Sequence, residues 1–165
     1  VTGGTTQVTA SAAAVQLLSD NHITVAPLTP AASSGATFTF PISGGRLNLK
    51  TLHGVIRHKG GLSLSNGTRT VVLRQPTIIS TKAGAWLYAI VRGPLERVCT
   101  HHIRLHHPHV VCLTVIRSHS ERIAHIVDAK VTGGSATATL TLTRASAHLI
   151  AALAHKHVVS AGAVL

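Results

Sequence analysis

The sequence predicts a mainly β protein: an antiparallel β-sandwich or partly closed barrel, with two short helices in a repeated strand-helix-strand unit. Three observations carry this. Period-two alternation recurs in short stretches separated by Gly, Pro and Asn turn signals. Only two stretches show helical spacing of apolar residues. Finally, the two ends resemble each other: Val1-Thr2-Gly3-Gly4 recurs as Val131-Thr132-Gly133-Gly134. With a small insertion, Val15, Leu18, His22, Ile23 and Ala26 align with Ile150, Leu153, His157, Val158 and Ala161. Two copies are too few for a solenoid. They predict two similar packing elements closing one domain over residues 1–165, with terminal units at about 1–28 and 131–165.

The elements follow in order. Thr5 to Thr9 alternates as a first strand. Ser11 to Asp20 is rich in Ala and Leu, with Ser11 as N-cap and Asn21 as stop, and reads as a helix. Ile23 to Leu28 is extended, and Pro30, Ser33, Ser34 and Gly35 mark a surface loop. Phe38, Phe40 and Ile42 share one face of the next strand. Ser43-Gly44-Gly45 reads as a turn, and Leu47 and Leu49 as the start of another strand. Gly54 to His58 is extended, Gly60-Gly61 interrupts it, and Leu62 and Leu64 lead to Asn66-Gly67. Asn-Gly between strands is a hairpin signal, because both residues of a tight two-residue turn need positive φ. Val71 to Leu73 returns, and Ile78-Ile79 follows Pro76. After a turn at Lys82-Ala83-Gly84, Ala85 to Val91 is an apolar run typical of a buried strand. Gly93-Pro94 breaks it. Cys99 to Cys112 is a hairpin, extended by Leu113 to Ile116, and Arg122 to Val127 is another strand. Ala136, Ala138, Leu140 and Leu142 alternate with Thr137, Thr139, Thr141 and Thr143, the clearest strand in the chain. Ala145 to His155 is the second helix, and Val158-Val159 closes the second copy.

A chain of 165 residues suits one domain with a hydrophobic core. Phe38, Phe40, Trp86 and Tyr88 are its only aromatic residues, so that core is aliphatic. No apolar run approaches the roughly 20 residues of a membrane helix. No signal-peptide pattern starts at Val1, and a secreted chain after removal of its leader reads the same way. Fifteen Lys and Arg against Asp20, Glu96, Glu121 and Asp128 give a net charge of +11. This balance favours anionic partners: nucleic acid, lipid head groups, cell-envelope polymers or a ligand's carboxylates. The basic residues form no block, and nucleic-acid stacking platforms need more aromatic residues than this chain has.

Cys99 and Cys112 flank a polar stretch. They read as a disulfide of an exported protein, closing a loop of about 14 residues for roughly 3 kcal/mol. A metal site is the competing reading, because histidines lie close by. The spacing is not that of a redox Cys-x-x-Cys pair.

Two segments carry a family resemblance: Phe40-Pro41-Ile42-Ser43-Gly44-Gly45, and Gly54-Val55-Ile56-Arg57-His58-Lys59-Gly60-Gly61-Leu62 leading to a hairpin. They resemble the centre of the HtaA-like domain of actinobacterial secreted and cell-surface proteins, as do the flanking strand-helix-strand units. The similarity covers most of the chain outside roughly residues 92 to 120. It implies export, a β-rich fold and haem binding at a cell surface. In that family a tyrosine near an N-terminal Trp-Gly-Val-Lys-like segment ligates the iron, with a histidine supporting it. This chain lacks the segment, and its only tyrosine, Tyr88, lies mid-chain. No axial ligand carries over from the family, and Tyr88 and the family-matched His58 stand as the candidate haem residues of this chain. His58 also reads as a strand-end imidazole bonding backbone.

Thirteen histidines are present, five of them between His101 and His109. If Cys99 lies opposite Cys112, His102 faces His109, and His107 shares that face. His102, His107 and His109 are thus candidate ligands for Zn²⁺, Cu²⁺, Ni²⁺ or haem iron, although Arg104 on the same face opposes a cation. His22 and His157 match across the repeat, which favours an architectural role.

Four acids make a paired-carboxylate site improbable, and there is no Gly-x-Ser-x-Gly, P-loop or dinucleotide fingerprint. The sequence is read as a non-enzymatic, exported binding domain for haem, a transition metal or another anionic ligand. The alternative is a structural subunit of an extracellular filament or surface layer, a homo-oligomer assembling through open strand edges.

Overall fold

Twelve strands and two helices make up the described part of the computed structural model. The described backbone comprises residues 3–93, 96–104, 107–115, 118–132 and 135–154, with side chains within 96–115 and 130–137 outside the description. Strand β1 (Thr5–Thr9) leads into helix α1 (Ala12–Asp20), then β2 (Thr24–Leu28) and β3 (Ala32–Ser34). The centre is β4 (Thr37–Leu47), β5 (Gly54–His58), β6 (Gly61–Ser65), β7 (Thr70–Thr81) and β8 (Gly84–Arg92). Among the described residues, β9 (Glu96–Arg104) and β10 (His107–Val115) pair only with each other. β11 (Ser118–Thr132), β12 (Ser135–Leu142) and α2 (Arg144–Ala154) follow.

Ten strands form one curled antiparallel sheet, a half-barrel, in the order β1-β4-β5-β7-β8-β11-β12. β3 pairs with the first part of β4. β5 and β6 lie end to end along β7, and β2 pairs with β6. The expected choice between sandwich and partly closed barrel thus resolves to a single sheet that curls. The strands of the repeat occupy its two ends, β1 at one and β12 at the other, while Leu18 of α1 and Ile150 and Leu153 of α2 meet in one core cluster. Both helices begin alike. Ser11 Oγ accepts from the Ala14 amide at 3.1 Å, and Thr143 Oγ1 from the Ser146 amide at 3.3 Å. The closing strand expected at Val158-Val159, and His157, lie outside the described residues.

The main core cluster is aliphatic, and Phe40 is buried outside it. Ile23, Val71, Ala89, Val91, Ile123, Leu142, Ile150 and Leu153 form one buried cluster, with Leu18, Leu64 and Leu73 packed against it. Val91 and Leu153 are its most enclosed large side chains. Each such burial contributes about 1.5–3 kcal/mol. α2 lies against β7, β11 and β12, so the opposite face of these strands points away from the core.

Three local expectations are corrected. Ser43-Gly44-Gly45 is not a turn, because β4 runs through it with a bulge between Ile42 and Gly44. Gly45 serves close packing: a Cβ on it would stand 2.1 Å from the Val55 carbonyl oxygen. Leu49 starts no strand. It is 73% exposed in a turn where Asn48 Oδ1 accepts from the Lys50 and Thr51 amides at 2.9 and 3.2 Å. Asn66-Gly67 does sit between strands, but only Gly67 has positive φ. The loop is held instead by Asn66 Oδ1, which accepts from the Thr68 and Arg69 amides at 3.0 and 2.7 Å. Asn66 Nδ2 also donates to the Leu153 carbonyl at 2.7 Å, tying the loop to the end of α2.

Candidate functional site

Sheet register collects the chemistry on the face turned away from α2. Side chains of paired residues share a face. One row across the sheet reads Arg46, Val55, Ile79, Trp86, His125 and Thr141. The next reads Gly44, Arg57, Thr77, Tyr88 and Arg122. A third holds Gly61, Arg74, Ile90 and Ser120, and a fourth Ser63, Val72, Arg92 and Ser118. The only tryptophan and the only tyrosine of the chain therefore stand side by side on this face, both half-buried.

Arg122 joins them. Its guanidinium carbon lies 4.7 Å from the Trp86 ring centroid and 5.7 Å from that of Tyr88. Its Nε donates to the Tyr88 hydroxyl oxygen at 3.3 Å. A cation over an aromatic face is favourable by about 0.5–1 kcal/mol where exposed. His125 flanks the indole, with centroids 5.7 Å apart and planes tilted by 31°. Gly84 leaves room for this pair: a Cβ there would meet the Trp86 ring at 3.1 Å and His125 Nε2 at 3.3 Å.

Tyr88 separates two open hollows. One, of about 340 Å³, is lined by Gln75, Thr77, Ile79, Ile90 and Ser120 as well as Tyr88. The other, of about 410 Å³, lies towards Glu121, Arg122, Thr143 and Arg144. The first combines apolar Ile79, Ala89 and Ile90 with polar Gln75, Thr77, Tyr88 and Ser120.

A bulge creates this cluster. Arg122 and His125 are three residues apart and would fall on opposite faces of a regular strand. Between Arg122 and Ala124 the register shifts, so both reach the Tyr88-Trp86 face while the extra residue, Ile123, enters the core. The start of α2 satisfies the carbonyls exposed by the bulge. Thr143 Oγ1 donates to the Arg122 carbonyl at 2.6 Å, and the Thr143 amide to that of Ile123 at 3.1 Å. Buried Ser146 donates its hydroxyl to the Ile123 carbonyl as well, at 2.5 Å. Sequence reasoning missed Arg122 and His125. The local signal was an odd spacing, which acquires meaning only with the bulge.

His58 is placed elsewhere. Arg57 shares the Tyr88 row, so His58, the next residue of β5, falls on the opposite face. It is 3% exposed. Its Nδ1 lies 2.8 Å from the Pro76 carbonyl oxygen and its Nε2 2.7 Å from Thr6 Oγ1. A carbonyl only accepts, so Nδ1 carries the proton, and Nε2 accepts from the Thr6 hydroxyl. Burial pushes its pKa below the usual 6.5, opposed in part by the bond to Pro76. The imidazole is thus neutral, with both nitrogens engaged, and ties β1 to β5 and β7. Tyr88 and His58 are not brought together.

In β9 and β10 the register sets Cys112 opposite Cys99, His109 opposite His102, and His107 opposite Arg104. The ligand set His102, His107 and His109, and any bond between the sulfurs, lie outside the described side chains. Among the described residues, no three His, Cys, Asp or Glu side chains converge as a metal site. Neither helix is long and apolar enough to cross a membrane.

No family model matches the chain, and no curated protein matches it by sequence. Solved structures do match by fold. The C-terminal domain of HtaA from Corynebacterium glutamicum superposes with a TM-score of 0.62 at 12% identity, covering 100% of this chain and 92% of that one. A domain-swapped dimer variant of the same domain superposes with a TM-score of 0.55 at 13% identity, covering 98% and 93%. The chain has the fold of an HtaA-like domain.

Proposed function

We propose that this chain is a non-enzymatic, exported binding domain of the cell surface, and that it takes a planar anionic ligand, haem first, on the Trp86-Tyr88-Arg122 face. The observation that carries the reading is the position of Tyr88: half-buried, beside an open hollow, with Arg122 Nε at its oxygen. The residues present fit a haem. Ile79 and Ile90 suit the apolar ring, Tyr88 would hold the iron, and Arg122 would orient the Tyr88 hydroxyl. Bound haem would supply a redox-active iron and a Soret absorption. His58 takes no part, because its nitrogens are engaged on the other face. The fold likeness, the net charge of +11 and the register that sets Cys112 opposite Cys99 support the reading. A transition metal at His102, His107 and His109 is its variant on the β9-β10 hairpin.

The test is a haemin titration of oxidised, tag-free protein, followed at the Soret band. The expected result is a saturable one-to-one shift that is lost in Tyr88→Phe and weakened in Arg122→Gln. A shift no larger than that of a histidine-rich control peptide overturns haem as the ligand. A shift that survives Tyr88→Phe but vanishes when the histidines from His101 to His109 are replaced moves the ligand to the hairpin.

A second reading, assembly through strand edges into a homo-oligomer or filament, is favoured by one observation. Among the described residues, β1 pairs only with β4 and β12 only with β11, so each leaves one edge without a partner strand. Concentration-dependent polymers in light scattering and electron microscopy are its expected signature. A monomer at every concentration overturns it.

A further inference from the structure

The face that carries Tyr88 also carries five arginines: Arg46, Arg57, Arg74, Arg92 and Arg122, one from each of β4, β5, β7, β8 and β11. All five are exposed. No register position on this face holds an acid. Glu121, the nearest acid, pairs with the core residue Ala89 and borders only the second hollow, and its carboxylate is engaged by His119 at 3.4 Å and by the Arg122 backbone amide at 3.1 Å rather than by a guanidinium. Among the described residues none of the five arginines has an acidic partner within ion-pair distance. Like charges gathered without counter-charge repel one another and weaken the folded state, and an anionic partner relieves this.

The layout indicates the shape of that partner. Strands lie about 4.8 Å apart, so Arg57 and Arg122, three strand steps apart in one row, are separated by roughly 14 Å, and Arg46 to Arg122 spans on the order of 19 Å. A small ligand at Tyr88 does not reach the outer arginines, whereas an extended chain of repeating anions does. Guanidinium groups match phosphate oxygens in paired hydrogen bonds. Bases would need free aromatic faces to stack on, but Arg122 covers the Trp86 ring and His125 flanks it.

We infer that this face is a track for a linear phosphodiester polymer of polyol or sugar units, the chemistry of an anionic cell-envelope polymer. The inference goes beyond the haem reading and does not depend on it, because Arg46, Arg74 and Arg92 lie outside the Tyr88 row.

The test measures binding of the whole chain to a poly(glycerol phosphate) probe and to a single-stranded oligonucleotide of equal charge, over a range of salt concentrations. Expected is saturable binding to poly(glycerol phosphate) that weakens as salt rises, and falls about tenfold or more in the triple variant Arg46→Gln, Arg74→Gln, Arg92→Gln. The control variant Lys50→Gln, Arg69→Gln, Lys82→Gln removes the same charge from turns and keeps most of the affinity. The haemin response of both variants matches that of the wild type, so failure here is separable from failure at Tyr88. Absence of binding, equal losses in the two triple variants, or tighter binding of the oligonucleotide overturns the inference.

Discussion

The Ser146 hydroxyl donates to the Ile123 carbonyl at 2.5 Å, and through this bond the first turn of α2 holds the bulge that aims Arg122 and His125 at Trp86. A helix on the core side of the sheet thereby shapes the chemistry of the outer face.

Ser146→Ala removes that donor while leaving the Thr143 amide on the same carbonyl. The expected loss is about 1 kcal/mol, or a fall in Tm of roughly 2–4 °C. Trp86 is the only tryptophan, so its fluorescence reports the outer face directly. Its emission is expected to shift in Ser146→Ala and again in Arg122→Gln. An unchanged emission in Ser146→Ala would show that α2 does not control the cluster.

His58 makes stability depend on pH. Its folded pKa is lowered, chiefly by burial, so in acid the unfolded chain binds a proton that the folded chain resists. The stabilising contribution is complete above the unfolded value of about 6.5 and is lost as pH falls through the lowered folded value. The fall in Tm from pH 8 to pH 5 is expected to be larger in the wild type than in His58→Gln. Equal falls in the two proteins would remove His58 as the cause.

Gly45 and Gly44 are neighbours with different constraints. A Cβ at Gly45 would collide with the β5 backbone, whereas one at Gly44 meets nothing within 4 Å. Gly45→Ala is expected to cost at least about 3 kcal/mol and Gly44→Ala clearly less, since only backbone strain remains there. Urea midpoints for the two variants measure the difference, and equal midpoints would contradict the close approach.

Cys99 and Cys112 are register partners, and a staple between them is expected to leave both unmodified by alkylation in denaturant without reductant. Reduction is then expected to lower stability by roughly 3 kcal/mol. Full alkylation before reduction would leave the pair as thiols.

Much of the fold was legible because its signals are local. Alternation placed β1 and β12, and a continuous apolar run placed β8. Ser11 announced the start of α1 through its own side chain, and the scarcity of aromatics dictated an aliphatic core. The repeat revealed two equivalent strand-helix units before their places were known. Tertiary structure decided what depends on partners distant in the chain. It placed the strands of those units, β1 and β12, at opposite ends of one curled sheet, ran β4 through Ser43-Gly44-Gly45, and put His58 behind the sheet from Tyr88. It also gathered arginines from five strands on one face. The physical reason is register. The face of a side chain alternates strictly along a strand, but each bulge reverses the alternation, and the bulge in β11 is held by a helix more than twenty residues away.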